Sequence, residues 1–177
     1  MIIQLLYSTA EGQAKCIAER VATDLRYQGF EVQCEDVSKA VMLKKPDAVA
    51  LIASIHVGKH ATTAQAFIKT NLPLFNSIPA AFMSVSLSAT ESDRTQARGY
   101  IDAFLQQTGW RPGLTATIAG ALRYTRYNFI KKLVIKRIAQ QNGLPTDTSR
   151  DHEFTDWDEV TGFVQAFAGM LREMAVR

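Results

Sequence analysis

Short apolar runs and longer segments with helical spacing alternate along this chain. Ile2–Tyr7 is a β-branched and leucine-rich run, which predicts a strand. In Ala14–Leu25 the apolar residues recur at intervals of three and four, which predicts an amphipathic helix. Gly29 is placed to end that helix, and Phe30–Cys34 predicts a second strand.

The same alternation continues along the rest of the chain. Further strands are predicted at Asp47–Ser54, Ala80–Leu87 and Thr115–Ala119, and further helices at Ala61–Leu72 and Thr95–Thr108. A last helix follows Asp156-x-x-Glu159, which is a capping box ahead of a long apolar stripe. Five strands that alternate with helices predict an α/β fold with a parallel sheet.

One predicted helix is additional to this scheme. It runs from about Arg126 to Gln141, between the fifth strand and the last helix, and its predicted apolar stripe consists of Tyr127, Ile130, Leu133, Val134 and Ile138. From residue 120 to residue 141 there are six basic residues and no acidic ones, although the net charge of the chain is only +3. Such a local basic patch predicts one anionic partner surface and argues against general nucleic-acid binding.

The composition is typical of a soluble globular protein, with 47% apolar and 21% charged residues in a chain of 177. No apolar run approaches the roughly 20 residues that a bilayer-spanning helix needs. The first residues lack the features of a signal peptide, so we expect a cytosolic protein. Cys16 and Cys34 stand singly, which excludes zinc-knuckle and dithiol motifs and predicts two buried thiols.

Four loops follow the predicted strands at the edge of the sheet where α/β proteins bind ligands. They are Ser8–Gln13, Ser54–His60, Ser86–Asp93 and Gly120–Tyr127. Ser8–Gln13, the first loop, is rich in hydroxyls and leads into a helix N-terminus, whose backbone N–H groups favour a phosphate. An ordinary turn in which Ser or Thr caps the helix is an equally good interpretation of this loop alone.

The glycine pattern bears on which nucleotide the first loop would bind. A dinucleotide-binding fingerprint needs three glycines, and only Gly12 is present. Glu35 and Asp36 nevertheless lie about where a ribose-binding acid would, so an NAD-dependent reductase remains open as an alternative.

Further motifs occur in order along the chain, namely Phe82-x-Ser84-Val85-x-Leu87, Trp110-Arg111-Pro112, the run Ile118–Tyr127, Thr146-Asp147-Thr148 and Thr155-Asp156-Trp157. With them, the whole chain resembles the flavodoxin-type, quinone-dependent (menaquinone-dependent) protoporphyrinogen IX dehydrogenases of bacteria. The resemblance implies a single flavodoxin-like domain over residues 1–177. Its five-stranded sheet would be doubly wound, with an insertion at about residues 123–148.

The resemblance also implies an FMN site. Around the phosphate it places Ser8, Thr9, Ala10, Glu11, Gly12, Gln13 and Ala14, and around the ring Ser84, Val85, Ser86, Leu87, Gly120 and Ala121. Where such loops usually carry Thr after the Gly-Gln pair, this chain has Ala14, so we expect weaker FMN binding rather than none.

The implied reaction is the oxidation of protoporphyrinogen IX to protoporphyrin IX in haem biosynthesis, with electrons passed to menaquinone or ubiquinone. No catalytic side chain and no metal ion are expected, because the flavin supplies the redox chemistry. The implied location is cytoplasmic, on the inner face of the inner membrane. The alternative is a flavodoxin-type electron carrier without its own substrate, although such carriers are typically acidic and have no need of a basic helix.

Two arginines and two histidines are candidates for contacts in this site. Arg123 and Arg126 are predicted to bind the two propionates of the tetrapyrrole, because charge-assisted pairs with carboxylates are strong. The alternatives are that they bind lipid headgroups or pair with the acidic segment Asp147–Glu159. His56 and His60 can face the flavin as proton relays, or can position the loop and cap the next helix.

Aromatic and basic residues of the additional helix are the last candidates. Tyr124 and Tyr127 can stack on the ring or the substrate, or pack against the helix. The helix, roughly Tyr127–Gln141, is predicted to attach the protein to an anionic membrane surface through Lys131, Lys132, Lys136 and Arg137. The alternative is that its apolar stripe packs on the domain and its charges are only solvated.

Overall fold

The computed structural model describes residues 1–141 and 143–175, without the side chains of Arg126, Ile130, Lys131, Val134, Ile138 and Gln141. The helices are α1 Gln13–Tyr27, α2 Thr62–Thr70, α3 Leu72–Phe75, α4 Thr95–Thr108, α5 Phe129–Gln141 and α6 Trp157–Ala175. The strands are β1 Ile2–Ser8, β2 Glu31–Asp36, β3 Ala48–His56, β4 Lys59–His60, β5 Ala80–Ser86, β6 Leu114–Ala119, β7 Ala121–Leu122 and β8 His152–Glu153.

The main sheet has the strand order β2-β1-β3-β5-β6, and all of these pairs are parallel. Counting only these five strands, the order is 2-1-3-4-5, so the chain reverses direction across the sheet between β1 and β3. The predicted α/β fold with a doubly wound five-stranded sheet is confirmed. Residues at the carboxyl ends lie side by side, with Ser8 opposite Ala53 and Ser54 opposite Val85.

Helices cover both faces of the sheet. Alternate residues of each strand point to opposite faces, so Leu5 and Ile52 pack under α1 and α6, whereas Leu51 and Phe82 pack under α2, α3 and α4. Because both faces are buried, the central strands β3 and β5 are almost wholly apolar, as a parallel sheet requires.

The predicted elements are found with small shifts of their ends. The helix Thr95–Thr108 has the predicted bounds, and Gly29 follows α1 with a φ of 90°, as a helix-ending glycine should. Four small helices and strands were not predicted: α3 continues the chain after α2, β4 folds back antiparallel on the end of β3, and β7 and β8 pair with each other.

The residues between β6 and α6 form a structure of their own. β7 and β8 pair antiparallel, and we call residues 121–153, which they begin and end, the insertion segment. Leu122, Tyr124, Tyr127 and Ala139 form its buried cluster. None of the helices among the described residues is long and apolar enough to cross a membrane.

The predicted stripe of α5 is wrong in part. Leu133 is 55% exposed, and so is its neighbour on the same face, Phe129, at 76%. Ile135 and Ala139 face the buried cluster instead. Two large apolar side chains therefore project outward, whereas Tyr127 is buried as predicted. The side chains of Ile130, Val134 and Ile138 lie outside the described residues.

Two further expectations are corrected. Asp156 Oδ1 accepts from the N–H groups of Asp158 (2.9 Å) and Glu159 (3.2 Å), so the N-terminal cap of α6 is present. The other bond of a capping box would join the Glu159 carboxylate to the Asp156 N–H. Among the described residues it is not formed, because that carboxylate pairs with Arg94 at 2.8 and 3.0 Å. Cys16 is exposed, and Cys34 is half-buried with a pKa raised by burial to about 11.

Candidate functional site

A cavity of about 280 Å³ opens at the carboxyl ends of β1, β3, β5 and β6. It lies at the point where the sheet reverses direction, which is the general ligand site of such folds. Of the residues predicted to bind the cofactor, those lining it are Thr9, Ala10, Glu11, Gln13, Val85, Ser86, Leu87, Gly120 and Ala121. The predicted loops therefore meet at one site.

The first loop leaves the N-terminus of α1 open. The capping residue is Gly12, with a φ of 99°, and it has no side chain with which to cap the helix. Thr9 Oγ1 accepts from the Gly12 N–H at 2.9 Å and so folds the loop without capping the helix. The first intrahelical bond is made by Cys16 N–H, and the earlier N–H groups of α1 have no partner within the helix. An anion is the natural acceptor for them.

Side chains outside the loop hold it in this shape. Ser54 Oγ on β3 accepts from Ala10 N–H at 3.2 Å and donates to the Ser8 carbonyl at 3.4 Å. Gln13 Nε2 donates to Thr155 Oγ1 at 2.8 Å, so the Gln13 side chain is held by a residue two positions after the insertion segment. The Gln13 side chain is therefore engaged within the protein, and only its backbone N–H faces the open start of α1 without a partner in the helix.

The opposite end of the cavity is an apolar slot between Val85, Leu87 and Gly120, beside the Ser86 hydroxyl. Ser86 Oγ is buried and has no hydrogen-bond partner among the described residues. A Cβ on Gly120 would lie 3.3 Å from Val85 Cγ1, so glycine permits the chain to pass close to β5 there. An unsatisfied hydroxyl and a glycine-permitted slot fit a flat heteroaromatic ring, and the open N-terminus of α1 fits its phosphate. The residues present therefore fit FMN.

The β3–β4 hairpin forms one lip of the cavity. Its two turn residues, Val57 and Gly58, have φ values of 49° and 74°. Positive φ at both positions suits a tight hairpin, but it is strained for a β-branched residue. Val57 is also 84% exposed and lines the cavity. The strained turn therefore presents an apolar side chain at the mouth of the site.

His60 is buried behind this hairpin. Its Nε2 lies 3.0 Å from Ser84 Oγ, and its ring packs against Phe82 and Phe104 at centroid distances of 5.3 and 5.1 Å. Burial lowers the pKa of His60 to about 4. The predicted capping role is wrong, because the N-cap position of α2 is Ala61 and no side chain caps this helix, while the His60 ring is bonded to Ser84. His60 positions the hairpin, while the exposed His56 lines the cavity.

This burial makes the stability of the fold depend on pH. The unfolded chain binds a proton at His60 near pH 6.5 and the folded chain only near pH 4, so stability is lost as the pH falls between these values. We expect His60 to account for a loss of about 3 kcal/mol in unfolding free energy at pH 4. Denaturant unfolding at pH 7 and pH 4 measures it. His60→Gln should remove this loss and His56→Gln should not; an equal loss in all three proteins contradicts the assignment.

Arg123 is engaged inside the protein. Its guanidinium donates to Gln13 Oε1 and lies 3.5 Å from carboxylate oxygens of both Asp151 and Glu153. Of the alternatives for this residue, the structure shows pairing with the acidic segment. The side chain of Arg126 lies outside the described residues.

The two tyrosines have different surroundings. Tyr124 is fully buried, and its hydroxyl donates to the Pro145 carbonyl at 3.1 Å, so it packs within the insertion segment. Tyr127 lines the cavity, and its hydroxyl donates to a Glu11 carboxylate oxygen. Burial, followed by this bond to Glu11, raises the pKa of Tyr127. A side chain of the insertion segment thus contacts the first loop directly.

Several predicted residues do not line the cavity, and several lining residues were not predicted. Ser8, Gly12, Ala14 and Ser84 are not among the lining residues, and Ala14 is fully buried in the core. The lining residues that sequence reasoning missed as ligands are Ser54, Ile55, Val57, Gly58, Ser88, Tyr100, Leu122 and Ile135. Ser54 and Gly58 belong to Ser54–His60, one of the four loops that were predicted to lie at the ligand-binding edge of the sheet. Nothing in the sequence marks Tyr100 or Ile135, which reach the cavity from helices.

The acids of the NAD alternative lie elsewhere. Glu35 accepts from Gln33, and Asp36 accepts from Ser38, both at the end of the edge strand β2 and outside the cavity lining. Within residues 1–141 and 143–175 there is no group of His, Cys, Asp and Glu side chains that could hold a metal ion.

Comparison with known sequences gives two findings. The model of the flavodoxin domain family matches residues 4–149. Among curated proteins, the protoporphyrinogen IX dehydrogenase (quinone) of Escherichia coli (strain K12) is 36% identical over 171 residues, which cover 93% of each chain. The protein of the same name from Leishmania major is 33% identical over 172 residues, covering 94% of this chain and 74% of that protein.

Comparison with solved structures agrees on the fold. Flavodoxin 1 from Bacillus cereus superposes with a TM-score of 0.57 at 14% identity, over 97% of this chain and 98% of that one. The flavodoxin of Streptococcus pneumonia TIGR4 superposes with a TM-score of 0.58 at 12% identity, over 98% and 99%.

Proposed function

We propose that this chain, which belongs to the flavodoxin domain family, is an FMN-dependent dehydrogenase. It oxidises protoporphyrinogen IX to protoporphyrin IX in porphyrin biosynthesis and passes the electrons to a quinone. The names of its relatives support this enzyme and not the alternative, an electron carrier without its own substrate.

One observation carries the proposal on the structural side. The cavity joins an uncapped helix N-terminus to an apolar slot, and the insertion segment adds Leu122, Tyr127 and Ile135 to its wall. The five strands and their helices alone would leave that side of the slot without these residues. An apolar wall beyond the ring suits a second flat molecule, such as a porphyrinogen.

The residues of this chain bind and orient rather than react. When bound, FMN supplies the acceptor for the electrons that the porphyrinogen loses in three two-electron rounds. The N–H groups at the start of α1 would hold the phosphate, and Ser86 Oγ would offer the ring a hydrogen bond. The apolar side chains of Val57, Val85 and Leu87 exclude water from the slot.

The deciding experiment is anaerobic incubation with protoporphyrinogen IX and a quinone, followed by porphyrin fluorescence. We expect fluorescence to rise only when protein, FMN and quinone are all present. Bound FMN without porphyrin formation would favour the electron carrier. Formation that needs no FMN would contradict the proposal outright.

Arg126 is proposed as a propionate-binding residue. It directly precedes Tyr127, which lines the cavity, so its backbone lies beside the mouth. A guanidinium there would form a charge-assisted pair with a substrate carboxylate.

Arg126→Met should raise the KM for protoporphyrinogen about 10-fold, the effect of losing one charge-assisted hydrogen bond, and leave flavin content unchanged. Arg150→Met is the matched control, because Arg150 is a well-exposed arginine of the same segment that pairs with Asp147. Steady-state kinetics measure both. An equal KM in the two variants would remove Arg126 from the substrate site.

The helix α5 is proposed to attach the protein to an anionic membrane surface, where a lipid-soluble quinone is found. Phe129 and Leu133 are exposed, and Lys136 and Arg137 are exposed on the same face at helical spacing. Lys131 and Lys132 add charge nearby, although the side chain of Lys131 lies outside the described residues. At 13 residues the helix is about 20 Å long, which suits the interface rather than a span.

A further inference from the structure

The insertion segment is bonded to the first loop from two sides. Tyr127 donates from its hydroxyl to Glu11, and Arg123 donates from its guanidinium to Gln13. These pairs join residues that are 116 and 110 positions apart in the chain. We call the two bonds the cross-loop contacts.

Glu11 places a negative charge close to the proposed phosphate position. Glu11 lines the cavity beside the open N-terminus of α1, where the proposed function places a phosphate. A carboxylate and a phosphate repel each other at short range, so an unrestrained Glu11 would weaken phosphate binding. The Tyr127 hydroxyl directs a proton at that carboxylate and gives it a fixed partner.

Tyr127 is itself held in place. Its hydroxyl accepts from the Arg123 N–H at 3.3 Å, and its ring packs edge-on against Tyr124 at a centroid distance of 5.8 Å. Arg123 in turn is paired with Asp151 and Glu153, near the second end of the insertion segment. Both residues that make the cross-loop contacts are therefore held in place by other residues of the insertion segment.

We propose that Tyr127 and Arg123 are positioning residues that fix the first loop in its phosphate-binding shape, and that flavin binding and the order of α5 are coupled through them. This inference rests on the proposed FMN site. The coupling is physical because α5 begins two residues after Tyr127. By linkage, whatever stabilises α5 tightens flavin binding, and flavin binding stabilises α5 to the same extent.

A double-mutant cycle on Tyr127 and Glu11 tests the first half. Tyr127→Phe should raise the Kd for FMN about 10-fold, because it releases the carboxylate toward the phosphate. In the Glu11→Gln background the same change should have an effect of less than about 3-fold, because the charge to be restrained is gone. Riboflavin, which lacks the phosphate, should bind the wild-type protein and Tyr127→Phe with the same affinity.

The matched control is Tyr124→Phe. It also removes one buried hydroxyl and its bond, to the Pro145 carbonyl, but that bond lies inside the insertion segment. Wild-type affinity for FMN in Tyr124→Phe supports the inference. An equal loss in both tyrosine variants overturns it, since that would reflect general loosening, and so does an unchanged Kd in Tyr127→Phe.

Hydrogen exchange of the α5 amides tests the second half. Saturating FMN should slow exchange across residues 129–141 in the wild-type protein and not in Tyr127→Phe. If FMN protects α5 equally in both proteins, Tyr127 does not carry the coupling. Wild-type protein that binds no FMN at all would refute the proposed function instead, so the two failures are distinguishable.

Discussion

Gly12→Asp is expected to raise the Kd for FMN by at least about 100-fold. The new carboxylate would stand at the capping position of α1, where it accepts from the N–H groups of the first turn. These N–H groups are the proposed donors to the phosphate, and about two charge-assisted bonds of about 1.5 kcal/mol each are lost. The fixed negative charge adds repulsion. Titration followed by flavin fluorescence measures the change.

Gly29→Asp is the matched control for this variant. Gly29 lies just past the other end of α1, has a similar φ of 90°, and has open space where a Cβ would stand. It therefore suffers the same backbone strain and the same added charge without touching the cavity. FMN affinity that falls equally in both variants would mean that backbone strain, and not the site, is responsible.

Reversing two charges on α5 is expected to release the protein from anionic vesicles. Each basic residue near such a surface contributes up to about 1 kcal/mol, and a glutamate in its place is repelled. Lys136→Glu together with Arg137→Glu should therefore lower partitioning by about 100-fold or more at low salt. Quinone-linked turnover should fall with it, while activity with a soluble dye acceptor persists.

Lys44→Glu together with Lys45→Glu is the control for charge alone. Both lysines are exposed on the connection between β2 and β3, so net charge changes equally while α5 is untouched. Vesicle sedimentation measures all three proteins. Unchanged partitioning of the α5 variant would return the helix to a packing role within the protein.

Local pattern was enough to predict the sheet and most helices. Thr95–Thr108 and α1 have one apolar face with regular spacing and clear ends, so periodicity places them well. The hairpin at Val57 was missed because its turn is Val-Gly, which lacks the usual Asn or Asp at the first position. α5 has apolar residues on several sides, so its sequence does not single out one inward stripe.

The candidate site was predictable as a set of loops but not as a set of contacts. The loop positions follow from the strand order, because parallel strands end at one edge. Which side chains engage each other depends on distances across the fold. Glu159 pairs with Arg94 rather than completing its capping box, and Arg123 pairs with Gln13 rather than facing the cavity. Such partners lie 65 and 110 residues apart, beyond any local pattern.

The pairing of β7 with β8 has a consequence for how long the chain between them can be. Leu122 lies opposite His152, so the intervening residues leave the scaffold and return to it at a single point. Lengthening a loop whose ends already meet costs little additional closure entropy, since that cost grows only with the logarithm of length. The stretch between β7 and β8 can therefore differ in length at little entropic cost while every strand of the main sheet keeps its place.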